Sequence, residues 1–274
     1  MTKRWQLAEP CPENVAEQLG TARIPAALLW NRGVRTAEEA QQFLAPSFEE
    51  HLHHPSVFKD AVEAVARVFS ALEKGERITV HGDYDADGVT GSTLVLNVLH
   101  ELSARMNTDR QLIDYYIPHR DKEGYGLQMG TVPKLADRGT KLLITVDCGI
   151  SCVVEIAEAK KQGIDTIVLD HHQFGETLPD GLLIHPGLPN ETYPFKHLAA
   201  VGVSYKFSLL LLEEARKRGL DIPEGWEKWL LDLVAIATVT DMVPLHGENR
   251  VLETFGLRVL NKTRRPGLLA LFEA

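Results

Sequence analysis

From residue 59 onward, helical stretches alternate with short apolar runs rich in Ile, Val and Leu. A chain patterned in this way is constrained to a parallel sheet with helices on its faces. The spacing predicts helices over 60–74, 90–105, 130–138 and 150–162. Each is followed by a strand: 77–81 (Arg-Ile-Thr-Val-His), 112–117 (Leu-Ile-Asp-Tyr-Tyr-Ile), 141–146 (Lys-Leu-Leu-Ile-Thr-Val) and 165–169. A short fifth strand, Leu182-Leu-Ile184, follows a loop containing Pro and Gly. The expected fold class is therefore α/β, a parallel five-stranded sheet flanked by helices. Such sheets bind ligands beyond the carboxyl ends of their strands, where several loops converge.

Two helical segments frame this core. Residues 1–55 read as a small preface, with Pro25–Trp30 and Thr36–Phe43 as helices. Thr36 and Glu39 have capping-box spacing, and Pro46 ends the second helix. His51, His53 and His54 lie beside Pro55 without helical spacing and read as a loop rather than a metal cluster. Residues 56–196 form the expected catalytic α/β domain. Residues 197–274 complete it with helices at 197–218, 226–240, 247–261 and 265–273. The stripes Leu209, Leu210, Leu212 and Leu230, Leu231, Val234, Ile236 are assigned to core.

The chemistry gathers at the predicted strand ends. His81-Gly-Asp83-Tyr-Asp85-Ala-Asp87-Gly88 offers four ligands in seven residues directly after the first strand. Asp147 ends the third strand, and Asp170-His171-His172 follows the fourth. Asp241, in Thr-Asp-Met-Val-Pro, supplies a further carboxylate from the helical segment. His81, Asp85 and Asp87 are spaced four and two apart, which calls for a turn, and Gly82 and Gly88 permit a tight backbone there. Mixed carboxylate and imidazole ligation suits Mn²⁺ or Mg²⁺. Two such ions about 3.5–4 Å apart lower the pKa of a shared water and neutralise charge on attacking and leaving oxygens, which makes phosphoester hydrolysis the expected reaction.

Other classes find no support. The chain lacks a Gly-x-x-x-x-Gly-Lys-Ser/Thr loop and a Gly-x-Ser-x-Gly elbow, and Gly124, Gly126 and Gly130 have the wrong spacing for a dinucleotide fingerprint. Three cysteines without Cys-x-x-Cys spacing disfavour a disulfide framework and a zinc knuckle. No apolar run reaches membrane-span length and the start lacks a signal-peptide core, so the chain reads as cytoplasmic. The net charge of −9 seldom accompanies nucleic-acid binding. Two divalent ions would reduce it to −5, and local charge at the site decides more than the total.

The ordered motifs resemble the DHH phosphoesterases, and within them the RecJ single-strand-specific exonuclease branch, over nearly the whole chain. The resemblance rests on Arg32-Gly-Val-Arg-Thr-Ala-Glu-Glu-Ala, His81 to Gly91, Tyr116-Ile-Pro-His-Arg120 with Glu123-Gly-Tyr-Gly-Leu127, Val146-Asp-Cys-Gly149, Asp170-His171-His172, and Thr240 to Leu245 with Glu248-Asn-Arg250. It implies His81, Asp85 and Asp147 around one Mn²⁺ (or Mg²⁺), and Asp87, Asp147, His171 and Asp241 around a second, with Asp147 bridging. Asp147, Asp85 and His172 are then the catalytic residues. His172 faces the scissile phosphate, stabilising charge or assisting proton transfer. Asp83 falls outside that ligand spacing and is assigned to holding the loop. Arg120 and Tyr125 stand either as nucleotide contacts, together with His172, or as a surface ion pair and a packed ring.

By the same resemblance the expected activity is 5′-to-3′ degradation of single-stranded DNA to 5′-mononucleotides in recombination and repair. Its expected partners are single-stranded DNA, a RecQ-type helicase and a single-strand-binding protein, with the chain itself a monomer. Family enzymes continue into a second catalytic domain with a glycine-rich His motif. The chain therefore reads as an amino-terminal portion, with metal binding retained and processive digestion reduced. Two alternatives stand beside this reading: a DHH phosphodiesterase for short oligonucleotides or cyclic dinucleotides, and an inactive DHH scaffold.

Overall fold

The computed structural model describes residues 4, 6–8 and 10–274, in two compact units, Met1–Leu52 and His53–Ala274. The first unit carries α1 (Val15–Gln18), α2 (Arg23–Trp30) and α3 (Ala37–Leu44) around Val15, Leu19, Ala26, Leu29, Val34 and Ala40. Thr36 and Glu39 close the expected capping box, so the first turn of α3 has its free amides satisfied. The short α1 is an addition to the two helices read from sequence. His51 accepts a hydrogen bond from the Ser47 amide at 2.9 Å and serves a local turn.

The second unit begins with α4 (Ala61–Lys74), β1 (Arg77–Gly82), α5 (Ala86–Met106), β2 (Ile113–Tyr116), α6 (Thr131–Asp137), β3 (Thr140–Val146), α7 (Val153–Lys161), β4 (Asp165–Leu169) and β5 (Leu182–Ile184). All five strands are parallel, in the order β2-β1-β3-β4-β5. β1 connects outward to β2 on one side, and β3, β4 and β5 follow on the other, so the strand order reverses between β1 and β3, the position at whose carboxyl ends such sheets bind ligands. α6 and α7 cover one face over a core of Leu135, Leu143, Ile156, Val168 and Leu183. α8 (Ala200–Lys217) packs against both α4 and α5 on the other side of the sheet.

α9 (Leu231–Thr240), α10 (Gly247–Leu260) and α11 (Pro266–Glu273) complete the unit, with α9 packed on α5, α8 and α10. The helix expected over 226–240 is two elements, because Trp226–Leu230 winds as a 3₁₀ turn before α9. Of the residues assigned to core, Leu210, Leu212, Leu230, Leu231 and Val234 are buried, and Leu209 and Ile236 are half-buried. Buried Asp232 accepts from the Thr263 hydroxyl at 2.8 Å and from Arg265 Nε at 2.9 Å, which anchors the chain just before α11.

One buried acid gives the fold a pH dependence. Glu253 on α10 is buried with Oε2 lacking a hydrogen-bond partner among the described residues, and burial raises its pKa to about 7, against a smaller opposing pull from Arg250. The folded state then retains a proton that the unfolded chain has released, so stability falls as pH rises from the ordinary glutamate value of 4.5 to about 7. Between about pH 5 and about pH 8 the loss should be on the order of 2–3 kcal/mol, and Glu253→Gln should remove it. Urea midpoints compared at about pH 5 and about pH 8 check this; the same pH dependence in the variant would refute it.

Candidate metal centre

Three strand ends deliver the site. After β1, the Asp83 amide donates to the Val146 carbonyl at 3.2 Å, which pins the turn to the end of β3. Asp85 is extended and caps α5, its Oδ1 accepting from the Gly88 amide at 3.0 Å. α5 therefore starts at Ala86, four residues before the helix start expected from sequence. Asp87 sits in its first turn instead of in an irregular loop.

The two glycines serve close approach and not unusual torsion. A Cβ on Gly88 would lie 2.5 Å from the Asp83 carbonyl oxygen, and one on Gly82 would lie 2.0 Å from Ser92 Oγ. The turn can fold back on α5 only without those carbons.

Asp87 has both oxygens engaged. Oδ2 accepts from the Ala200 amide at 2.7 Å and Oδ1 from the Val201 amide at 2.8 Å, so this one carboxylate joins the start of α5 to the N-terminus of α8. Asp147 follows β3 with φ of 61°, a left-handed conformation that a short polar side chain tolerates better than most. Its amide donates to the Leu169 carbonyl at 3.0 Å, so the end of β4 fixes it as well.

The ligand-type side chains meet in three overlapping groups: Asp83, Asp85 and Asp147; Asp147, His171 and His172; and Asp87, His171 and Asp241. Within each, one ligand atom per residue lies within 4.8 Å of the others. His171 Nε2 is 3.3 Å from Asp147 Oδ1, 3.7 Å from Asp241 Oδ2 and 3.8 Å from Asp87 Oδ2. Six of the seven expected site carboxylates and imidazoles thus converge. The seventh, His81, stands outside these groups, with its ring stacked on Tyr116 and Nδ1 at 3.6 Å from Cys148 Sγ. Asp83, assigned from sequence to holding the loop, does so through its backbone, and its carboxylate joins the cluster.

Crowded carboxylates with little water are costly to ionise. Burial, then Asp87 and Asp85, push Asp147 far above the carboxylate range. Burial raises Asp87 to about 6 against the pull of His171, and it also raises Asp83 and Asp241. Burial lowers His81 to about 4, which keeps it neutral, the form that donates a lone pair.

Asp170 has a different task. Burial alone would raise it, yet bonds to His172 and to the Ile150 and His172 amides hold it low. Its Oδ1 lies 2.9 Å from His172 Nδ1, and that bond raises the imidazole to about 9. Sequence places Asp170 in the triplet without a role of its own; its position directly before two histidines at a strand end is the available signal.

The two candidate nucleotide contacts, Arg120 and Tyr125, are both exposed, and each also touches a protein group. The Tyr125 hydroxyl donates to the Asp147 carbonyl at 3.0 Å and lies 3.1 Å from His172 Nδ1, so it braces the site. Arg120 lies over the Tyr84 ring at 4.5 Å. Cys148 is buried and Cys152 precedes α7; both are free thiols.

The chain is similar to known proteins. The single-stranded-DNA-specific exonuclease RecJ of Bacillus subtilis (strain 168) is 42% identical over 274 residues, covering 98% of this chain and 32% of that protein. A crystal structure of RecJ in complex with Mn²⁺ from Thermus thermophilus superposes with a TM-score of 0.72 at 33% identity, over 95% of this chain and 35% of that one. A crystal structure of exonuclease RecJ bound to manganese gives 0.67 at 38% identity, over 79% and 52%. The chain thus spans about a third of the length of the Bacillus subtilis relative. Residues 77–238, from the first residue of β1 almost to the end of α9, match the DHH family, N-terminal domain, and the chain belongs to that family.

Proposed function

We propose that this chain carries the two-metal centre of a RecJ-type exonuclease that hydrolyses phosphodiester bonds of single-stranded DNA from the 5′ end. One observation carries the reading: His81 Nε2, Asp83 Oδ1, Asp147 Oδ1 and His171 Nε2 are all buried without a hydrogen-bond partner among the described residues. Orphaned buried acceptors of this kind are costly, and divalent cations satisfy oxygen and imidazole donors together. The donor set therefore fits Mn²⁺ or Mg²⁺. His81, Asp85 and Asp147 are assigned to one ion, with Asp83 as a further candidate ligand, and Asp87, Asp147, His171 and Asp241 to the other.

When bound, the pair of ions would acidify a shared water and offset charge on the attacking and leaving oxygens. The protein's own groups do the rest. Asp170 accepts from His172 Nδ1, which fixes the ring orientation and leaves Nε2 as the free nitrogen, to meet a phosphate oxygen. Tyr125 holds both the Asp147 carbonyl and that imidazole in register. Arg120 brings a cation on the loop after β2, where it would position a phosphate.

A helicase and a single-strand-binding protein suit an enzyme that consumes unwound strands, and a cytoplasmic setting agrees with both. Among the described residues, no helix is long and apolar enough to cross a membrane. The reading is tested with Mn²⁺ and three substrates: a 5′-labelled single strand, its duplex and a cyclic dinucleotide. Release of mononucleotide from the single strand in preference to the other two is expected. Preferred hydrolysis of the cyclic dinucleotide, or equal cutting of the duplex, overturns it.

A further inference from the structure

Phe195, His197 and His246 form an aromatic triad on two loops of the second unit, and the metal centre does not use it. Ring centroids are 5.7 Å apart for Phe195 and His197, 5.9 Å for Phe195 and His246, and 5.6 Å for His197 and His246, with planes at 78° to 90°. Edge-to-face contacts of this kind leave ring faces uncovered. His197 is exposed, and Phe195 and His246 are half-buried. We propose that this triad is a stacking platform for a nucleobase of the single strand that enters the metal centre. The inference rests on the exonuclease reading and adds to it a base-binding subsite.

Its placement argues for that occupant. His197 lies three residues before Ala200, whose amide bonds Asp87, so at most about 10 Å of extended backbone separates the platform from that clamp. His246 follows Asp241 by five residues on the loop that leaves α9. Buried Asn249 ties the two loops together, its Nδ2 donating to the His197 carbonyl at 2.5 Å and to the Pro244 carbonyl at 3.1 Å. Phe195 lies close against the backbone at Gly247, where a Cβ would lie 2.6 Å from its ring, so this ring contacts the second loop directly.

The edge is apolar beyond the rings: Val239, Met242 and Leu245 are exposed, Met242 at 87%. Lys196, between two members of the triad, donates to the Glu191 carbonyl at 3.0 Å and pairs with no carboxylate among the described residues, which keeps its charge available to a phosphate. Burial and the neighbouring His197 lower the pKa of His246, so this ring meets a base as a neutral stacking surface. Every nucleobase presents a π-face, and such stacking contributes about 1–3 kcal/mol per base.

The test uses the 274-residue chain with Mn²⁺ and two hydrolysis-resistant phosphorothioate strands of about ten units, one oligothymidylate and one abasic. Affinities are read by fluorescence anisotropy. The double substitution His197→Ala with His246→Ala should weaken oligothymidylate binding about 10- to 100-fold, leave the abasic strand and Mn²⁺ affinity unchanged, and be largely rescued by His246→Phe. Equal loss on both strands, or no loss on either, overturns the platform while the exonuclease reading stands. Absence of binding by the unsubstituted chain to both strands overturns the exonuclease reading and the platform with it.

Discussion

Replacing Asp147 by Asn should abolish Mn²⁺-dependent hydrolysis and at the same time stabilise the protein in EDTA. Asparagine keeps the shape of the side chain and tolerates the left-handed backbone at φ 61°, so the change removes charge with little strain. Asp147 is the one residue shared by the two groups containing Asp85 and His172, and its Oδ1 has no hydrogen-bond partner among the described residues. Loss of a bridging carboxylate should cost several kcal/mol of transition-state stabilisation, about 10³-fold or more in rate. The stability effect has the opposite sign. Burial, Asp87 and Asp85 raise the folded pKa of Asp147 above its unfolded value, so the ionisation penalty grows as pH rises from about 4 through neutrality. At neutral pH without metal, the variant should gain on the order of 2 kcal/mol in urea unfolding. An inactive variant with unchanged metal-free stability would show that repulsion at the site is negligible. An active variant would remove the two-metal reading.

How much of this centre is legible in the sequence depends on the range of the contact. The sheet, its strand ends and the positions of Asp147 and Asp170 follow from local periodicity, and periodicity survives in a single sequence. The place of Asp87 does not, because a spacing of four and two fits an open turn as well as a capped helix. Asp85 chooses the helix by accepting from the Gly88 amide, and the lack of a Cβ at Gly88 lets the turn close over it. Asp83 and Tyr125 elude a sequence reading for a related reason. The direction of the Asp83 carboxylate depends on how β1 and β3 end side by side, and the Tyr125 hydroxyl reaches a carbonyl 22 residues away. The cluster from His81 to Asp87 thus contributes one N-cap, one helix-to-helix clamp and one added carboxylate, roles that arise from packing. Lys206 is invisible by the same route: four residues before Leu210 it falls on the buried face of α8, but its partner Glu248 lies 42 residues away and no local pattern joins the two.

That lysine is the second place where a single substitution should have a large effect. Lys206 is fully buried, its Nζ 2.5 Å from Glu248 Oε1 and donating to the His53 carbonyl at 2.7 Å. Glu248, also buried, accepts from the His53 amide at 2.8 Å and from the Tyr193 hydroxyl at 2.6 Å. Burial lowers the Lys206 pKa, and the Glu248 carboxylate opposes that shift; burial raises the Tyr193 phenol. The network joins α8, α10 and the first residue of the second unit without touching a metal ligand. Lys206→Met should destabilise that unit by about 3–5 kcal/mol, because it leaves a buried carboxylate without its cation. Adding Glu248→Leu should recover much of the loss, since the remaining cost is then a phenol and an amide lacking an acceptor rather than an unpaired charge. Urea unfolding of both variants, with Mn²⁺ affinity as a control for the site, checks the pair of expectations. A loss below about 1 kcal/mol for Lys206→Met would mean that water or a shifted proton relieves Glu248, and the buried ion pair would then contribute little to stability.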